Sequence, residues 1–333
     1  MRVAYGELHD VLSRALSRIG FTPERAARCA SLFADTTRDG IYSHGLNRFP
    51  RFIATIRNGV VDVGAEPQCV GRRGALERWD GRRGAGNLNA HQSMARAIAL
   101  AREHGIGCVA LANTNHWMRG GSYGWQAAEA GAIGICWTNT LANMPPWGGA
   151  EPRIGNNPLV VAVPRPMGHV VLDMALSQFS VGALGAYRSR GEPLPVAGGF
   201  DRDGTLTCDA GAIEDSGRLL PVGFWKGSGL AMALDLVAAI ASGGRATWQV
   251  PPTPETESGL SQVFIALDLA SLDDGGAAAR VADEIVEHVR AASSAGGRVR
   301  YPGERTLETR RRNLAEGIPV EPAVWREVQE LAA

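Results

Sequence analysis

Apolar residues fall at helical spacing from the start of the chain. Leu8, Val11, Leu12, Ala15, Leu16 and Ile19 mark one face, and Gly20 ends the run. Thr22-Pro23 supplies an N-cap and a first-turn proline for a second helix, whose buried stripe is Ala26, Cys29, Ala30 and Phe33. After Arg38-Asp39-Gly40 the pattern predicts a third helix, from a Ser43 N-cap to Asn58, with Leu46, Phe49, Phe52, Ile53 and Ile56 turned inward. The period then changes. Short apolar runs predict strands at 76–80, 107–112, 134–139, 159–163, 170–174 and 263–269. Helices are expected from Gly84-Ala85-Gly86 through Arg102, and over 122–130, 230–241, 277–292 and 322–331. Residues 143–149 and 153–158 read as ordered loops and 201–204 as a hairpin turn. Residues 243–260 read as a long mobile loop and 302–305 as a tight turn.

Length and composition narrow the class. A chain of 333 residues exceeds what one core usually serves, so two closely packed lobes are expected. Lys plus Arg and Asp plus Glu number 34 each, and zero net charge argues against nucleic acid or an anionic membrane as partner. The five cysteines are scattered with no C-x-x-C pair, which indicates neither a zinc ribbon nor a disulfide framework and suits a reducing cytoplasm. The N-terminus has no apolar signal region. The longest apolar helix, 230–241, is too short to span a bilayer and carries Asp235.

Several stretches carry candidate chemistry. With Ser43 as N-cap, His44 falls in the first turn and Arg48 shares its face four residues on. A helix N-terminus attracts anions and Arg48 adds a bidentate fork, so His44 becomes a proton donor beside a bound acid. A surface histidine with a solvated arginine satisfies the same spacing. His116 and Arg119 lie in a glycine-containing loop, 113–121, between a strand and a helix, where a capping histidine is the alternative. Asp173 closes an apolar strand, as a strand-end charge or a positioned polar group. Lys226 opens an apolar helix, a natural phosphate position, or is a plain surface charge. Gly84-Ala85-Gly86 lacks the third glycine of a dinucleotide fingerprint and reads as a strand-to-helix turn. A metal hydrolase built from His44, His116 and Asp173 finds no H-E-x-x-H support, and no metal is expected.

Taken together, Ser43-His44-Gly45 with Arg48, Asn115-His116 with Gly120-Gly121, Gly155-Asn156-Asn157-Pro158, Asp173-Met174-Ala175, Leu220-Pro221 with Lys226-Gly227, and Pro302-Gly303-Glu304 recur in order. From end to end the chain resembles the malate/L-lactate dehydrogenase-like NAD(P)-dependent oxidoreductase family. The resemblance implies an α/β (α+β) fold without a Rossmann sheet: a mostly antiparallel central sheet flanked by helices. It implies a helical N-terminal part, 1–75, packed with C-terminal helices of 306–333, against a cofactor-binding sheet domain of 76–305. It implies a homodimer with the active site at the lobe and subunit boundary, and His44 as the proton donor. The cofactor-binding segments map onto His169, Val170, Val171, Leu172, Asp173, Met174 and Ala175, onto Trp225 and Lys226, and onto Gly303, Glu304 and Arg305.

The reaction so implied passes a hydride from NAD(P)H to the C2 carbonyl of a 2-oxo acid. Arg48 is then the candidate for the substrate carboxylate. His116 polarises the carbonyl or holds a sugar-like hydroxyl, and Asp173 is a candidate to orient a histidine. Glu304 could accept ribose hydroxyls and favours NADH, whereas Arg305 could hold a 2′-phosphate. Malate, lactate, ureidoglycolate or a cyclic imine acid are alternative substrates, and a non-catalytic binding protein that kept the fold is a further alternative.

Overall fold

The computed structural model describes residues 1–270, 276–292 and 297–333. Strand β1 (Arg2–Val3) leads into helix α1 (Tyr5–Arg18), which buries the predicted stripe from Leu8 to Leu16. Helix α2 (Pro23–Arg38) starts at the predicted Thr22 cap and buries Ala26, Cys29, Ala30 and Phe33.

The third helix differs from expectation. Residues Tyr42–His44 and Leu46–Arg48 form two separate 3-10 turns, and α3 (Phe49–Arg57) begins only at Phe49. Pro50 belongs in a first turn, because an interior proline removes a helical hydrogen bond. Gly45 breaks the chain direction, and a Cβ there would come within 2.4 Å of the Thr37 hydroxyl. That hydroxyl takes the Leu46 N–H at 2.9 Å. Ser43 therefore caps no helix.

The next stretch builds most of the sheet. It comprises β2 (Gln68–Arg73), β3 (Leu76–Asp80), α4 (Gly86–His104), β4 (Ile106–Thr114), α5 (Gly121–Glu129), β5 (Ile133–Thr138), β6 (Leu159–Val163) and β7 (Val170–Met174). A smaller layer follows, not anticipated from the pattern: α6 (Val181–Arg190), β8 (Gly199–Phe200), β9 (Leu206–Thr207), α7 (Ala210–Ser216) and β10 (Arg218–Leu219). The predicted turn at 201–204 joins β8 to β9, with the Asp201 carboxylate accepting the Asp203 and Thr205 N–H groups. Helix α8 (Trp225–Ser242) starts five residues earlier than predicted, so Lys226 lies in its first turn. The segment expected to be a mobile loop contains a 3-10 turn, Thr247–Gln249, and buries Thr247, Val250 and Glu257.

Strand β11 (Leu260–Leu267) then enters the middle of the sheet, whose order is β2-β3-β4-β11-β5-β6-β7. Only the β3–β4 pair is parallel. This is the mostly antiparallel, non-Rossmann sheet that the resemblance implied. Helices α4 and α5 cover one face through Met94, Trp117, Tyr123, Trp125 and Phe264, and α8 covers the other through Ala238 against Trp137 and Val263. Helix α9 (Ala277–Arg290) precedes α10 (Glu304–Glu316), where the residue pattern predicts only a turn at 302–305 and the resemblance implies C-terminal helices from 306. Strand β12 (Ile318–Pro319) pairs with β1, and α11 (Pro322–Ala332) buries Trp325 and Val328 among α1, α2 and α3.

The turn into α4 shows what its glycines serve. A Cβ on Gly86 would lie 2.2 Å from the Asn115 carbonyl and 2.4 Å from that of His116. The close approach is to the chain's own loop and not to a ligand, as the missing third glycine suggested. Gly86→Ala should cost about 1–3 kcal/mol, the usual range for overpacking. Gly6→Ala in α1, with open space around it, should be neutral or stabilising by up to about 1 kcal/mol. Urea unfolding of both variants checks this; equal midpoints would show that the 115–116 loop yields freely.

Candidate active site

His44 ends the first 3-10 turn, and its ring stacks on His116 with centroids 6.0 Å apart and planes 22° from parallel. Its Nδ1 is 2.9 Å from the Ser43 hydroxyl. His116 Nδ1 accepts the Met118 N–H at 3.1 Å, so a neutral His116 carries its proton on Nε2. Both rings are pushed below the ordinary histidine range. His44 falls to about 4 through burial and the guanidiniums of Arg48 and Arg119. His116 falls well below its usual value through burial, Arg48 and His44. A His44 poised near neutrality, as its type suggests, is therefore not what this site contains before a ligand arrives.

Beside the histidines is a narrow cleft lined by Arg48, Arg51, Asn115, His116, Met118 and Glu257. Arg48 reaches it from the second 3-10 turn and not from an α-helical face shared with His44. Its guanidinium makes no hydrogen bond or ion pair with any described residue, and burial followed by the nearby Arg51 brings it down to about 10. Arg51 pairs with Glu255 at 3.2 Å.

A second, wider cleft is walled by Ile41, Trp125, Val171, Leu172, Asp173, Arg300, Tyr301, Gly303 and Thr306. Arg119 lines it too, whereas His116 and Met118 of the same loop face the first cleft. The loop thus forms a partition, and His44 stands under the influence of both sides.

Four of the residues assigned from sequence to the cofactor come together here: Val171, Leu172, Asp173 and Gly303. The others do not line the cleft. His169 accepts the Arg165 N–H at 3.1 Å and packs on Trp125. Val170, Met174 and Ala175 flank the lining stretch, with Met174, partly buried, packed against the apolar cluster that includes Ala210 and Ile213 of α7. Trp225 and Lys226 are exposed at the head of α8. Glu304 is buried and lies outside the cleft lining, with one carboxylate oxygen held by Arg298 at 2.5 Å and Arg290 at 3.3 Å. Arg305 is exposed beside it. Asp173 was a candidate to orient a histidine. Its carboxylate instead accepts the Gly121 N–H at 2.9 Å and lies 3.9 Å from Arg119 Nε, fixing the head of α5.

Sequence reasoning passed over the group that ties these parts together. Asp39, buried, takes Arg38 at 2.9 Å, Arg119 at 2.7 Å and Arg310 at 2.7 Å. Despite burial, those guanidiniums hold its carboxyl at about 2. Glu257 and Arg51 were also missed. An arginine three residues after Arg48 was the available signal for the second; nothing local marked the first. Among the described residues no three His, Cys, Asp or Glu side chains gather as a metal-binding group.

Comparison with known proteins gives consistent matches. The family model described as malate/L-lactate dehydrogenase matches residues 3–329. The chain is 48% identical to a 2,3-diketo-L-gulonate reductase of Citrobacter koseri, covering 99% of this chain and 100% of that one. Among solved structures it resembles sulfolactate dehydrogenase from Methanocaldococcus jannaschii, with TM-score 0.91, 28% identity, and 99% and 96% of the two chains covered. It also resembles delta1-piperideine-2-carboxylate reductase from Pseudomonas syringae, with TM-score 0.90, 30% identity and 99% of each chain covered.

The depressed histidines set an acid limit. His44 and His91 lie at about 4 and His116 well below its usual value, each chiefly through burial. In the unfolded chain each titrates near ~6.5. Below that pH the unfolded state binds more protons, so stability is fully present above about pH 6.5 and is lost as pH falls toward 4. Thermal melts across that window should show Tm dropping by several degrees. A flat Tm would mean that the rings take up protons without leaving their pockets.

Proposed function

The chain belongs to the malate/L-lactate dehydrogenase family, and from that premise we propose that it is an NAD(P)H-dependent reductase acting on the C2 carbonyl of a 2-oxo acid, with 2,3-diketo-L-gulonate as substrate and 3-dehydro-L-gulonate as product. The observation that carries the reading is the Arg48 guanidinium, unpaired among the described residues, in a cleft also lined by His116, on whose ring His44 stacks. A free, half-buried guanidinium calls for an anion, and its planar fork matches a carboxylate. The 48% identity of the Citrobacter koseri reductase supports the sugar-derived substrate over malate, lactate, ureidoglycolate or a cyclic imine acid.

The second cleft fits a nicotinamide dinucleotide. Trp125, Val171 and Leu172 offer an apolar wall for a ring, while Asp173 offers an acceptor for hydroxyl or amide donors. When bound, the reduced cofactor supplies the hydride. NADH is the proposed form, on grounds other than Glu304. Of the guanidiniums lining the cleft, Arg119 is committed to Asp39, and Arg300 lies 3.8 Å from Glu308. A 2′-phosphate would have to break one of those pairs.

The protein's part is position, charge and a proton. Arg48 takes the substrate carboxylate and so turns the carbonyl toward the histidines. In protonated His44 the Nδ1–H donates to the Ser43 hydroxyl oxygen, and Nε2–H is left to deliver the proton to the developing alkoxide. His116, protonated on Nε2, donates to the carbonyl oxygen or a neighbouring hydroxyl. Binding also arms the donor. A carboxylate on Arg48 offsets one of the charges that hold His44 at about 4, and His44 then becomes protonated nearer neutral pH.

Assembly as a homodimer is part of the proposal. Met232, Leu236 and Ile240 run along one side of α8, with exposures of 57%, 53% and 69%, and Trp248 beyond it reaches 79%. Such an apolar patch suits a second copy of the chain. Lys226 at the same helix is the proposed phosphate contact, next to this interface. All five cysteines are free, in keeping with a reducing cytoplasm. No described helix is long and apolar enough to cross a membrane.

His44→Ala should fold and bind cofactor but lose on the order of a hundredfold or more in turnover. Arg48→Lys should mainly raise KM for the 2-oxo acid, since lysine lacks the fork. NADH and NADPH oxidation with 2,3-diketo-L-gulonate, pyruvate, oxaloacetate and cyclic imine acids reads both; near-normal turnover in His44→Ala removes it from the chemistry. The pH profiles give a sharper check. In the reductive direction kcat/KM should decline from an apparent pKa near 4 and kcat from a higher one. Coincident profiles would sink the arming step.

A further inference from the structure

The cleft beside Arg48 contains a carboxylate that this chemistry does not yet use. Glu257 is 8% exposed and lies in the segment between α8 and β11. Its Oε1 accepts the Leu141 N–H at 3.1 Å. The other oxygen accepts no hydrogen bond from any described residue, and the side chain lines the cleft with Arg48, Arg51 and His116. Arg48 and Arg51 are close enough to act on it electrostatically, yet neither forms an ion pair with it. A nine-tenths buried carboxylate with a spare acceptor is costly unless something donates to it.

We propose that Glu257 is a specificity-determining residue whose free carboxylate oxygen receives hydroxyl groups of the substrate's carbon chain, so that the cleft selects polyhydroxylated 2-oxo acids over short unhydroxylated ones. This rests on the proposed function, which places a 2-oxo acid carboxylate on Arg48. Cation and anion in one cleft then read two parts of one molecule. Arg48 requires an acceptor and Glu257 requires a donor. Pyruvate satisfies the first and leaves the second facing a methyl group. A chain bearing O–H groups satisfies both. Sites built to hydrogen-bond a substrate hydroxyl reject analogues that lack it far more strongly than apolar pockets reject a missing methylene.

The alternative is that Glu257 only anchors Leu141. Glu257→Gln separates the two roles: the amide oxygen can still accept the Leu141 N–H, which leaves an NH2 donor toward the cleft. With the dimeric enzyme and NADH, Glu257→Gln should lower kcat/KM for 2,3-diketo-L-gulonate on the order of a hundredfold, mostly through KM, and leave pyruvate reduction unchanged or improved. Glu257→Asp, which keeps the charge but withdraws it from reach, should show the same selective loss and serves should the glutamine variant misfold. Equal losses with both substrates, or none with either, overturn the assignment. Calorimetric titration of wild type and variant with a six-carbon aldonate and with lactate reads Glu257 independently of turnover. If no 2-oxo acid is reduced but the variant selectively loses aldonate binding, the proposed function falls and this assignment stands. A wild type that binds the aldonate no better than lactate overturns the assignment directly.

Discussion

One buried carboxylate fixes the relation among the parts of this molecule. Asp39 stands where α2 ends, just before the turn that carries His44, and it engages guanidiniums from three separate stretches. Arg119 comes from the partition loop and Arg310 from α10, where it also lies over the Trp125 ring at 4.5 Å. A buried charge with three partners tolerates the loss of none cheaply; breaking such a pair typically costs about 3–5 kcal/mol. The histidine turn, the head of α5 and helix α10 are thereby held in one geometry, and the two clefts open on either side of the resulting wall. The same arrangement fixes Arg119, whose charge then bears on His44.

The first cleft is the electrostatic counterpart of that wall. It gathers cations around rings that burial already disfavours charging, so the two histidines rest neutral. Under the proposed function an arriving anion does not merely dock: it changes the charge that the neighbouring imidazole can bear. Recognition and proton supply then draw on one interaction, between Arg48 and the ligand, and a neutral molecule of similar shape gains neither.

Much of this was legible in the sequence where one local rule was enough. The stripes of α1 and α2, the strands from Leu159 to Val163 and from Val170 to Met174, and the missing third glycine near Gly86 were read from spacing alone. Where two rules competed, the weaker was followed. Ser43 has the chemistry of a cap, but Pro50 seven residues on forbids a continuous helix and moves the start to Phe49. Periodicity gives no sign of helix α10, which only the resemblance implies, because Glu304–Glu316 is charged nearly all round and has no apolar stripe; its support is ionic, through Asp39 and Glu129. Glu304 illustrates a further limit: the residue type suited a ribose, but Arg298 and Arg290 claim its carboxylate. Asp39, Arg119 and Arg310 lie 80 and 191 positions apart along the chain, and no local pattern announces such a meeting.

The position of β11 bears on how the molecule is made. This strand is synthesised after all the others of the large sheet, yet it fills the place between β4 and β5. During vectorial synthesis the ribosome must therefore release two half-sheets, one ending at β4 and one beginning at β5, each with an unsatisfied edge until the chain near Leu260 emerges. Such edges are templates for pairing with other chains. The nascent polypeptide thus passes through a window of exposure whose length is set by translation speed across residues 139–260, and a central strand delivered last makes completion of the sheet the closing event of assembly.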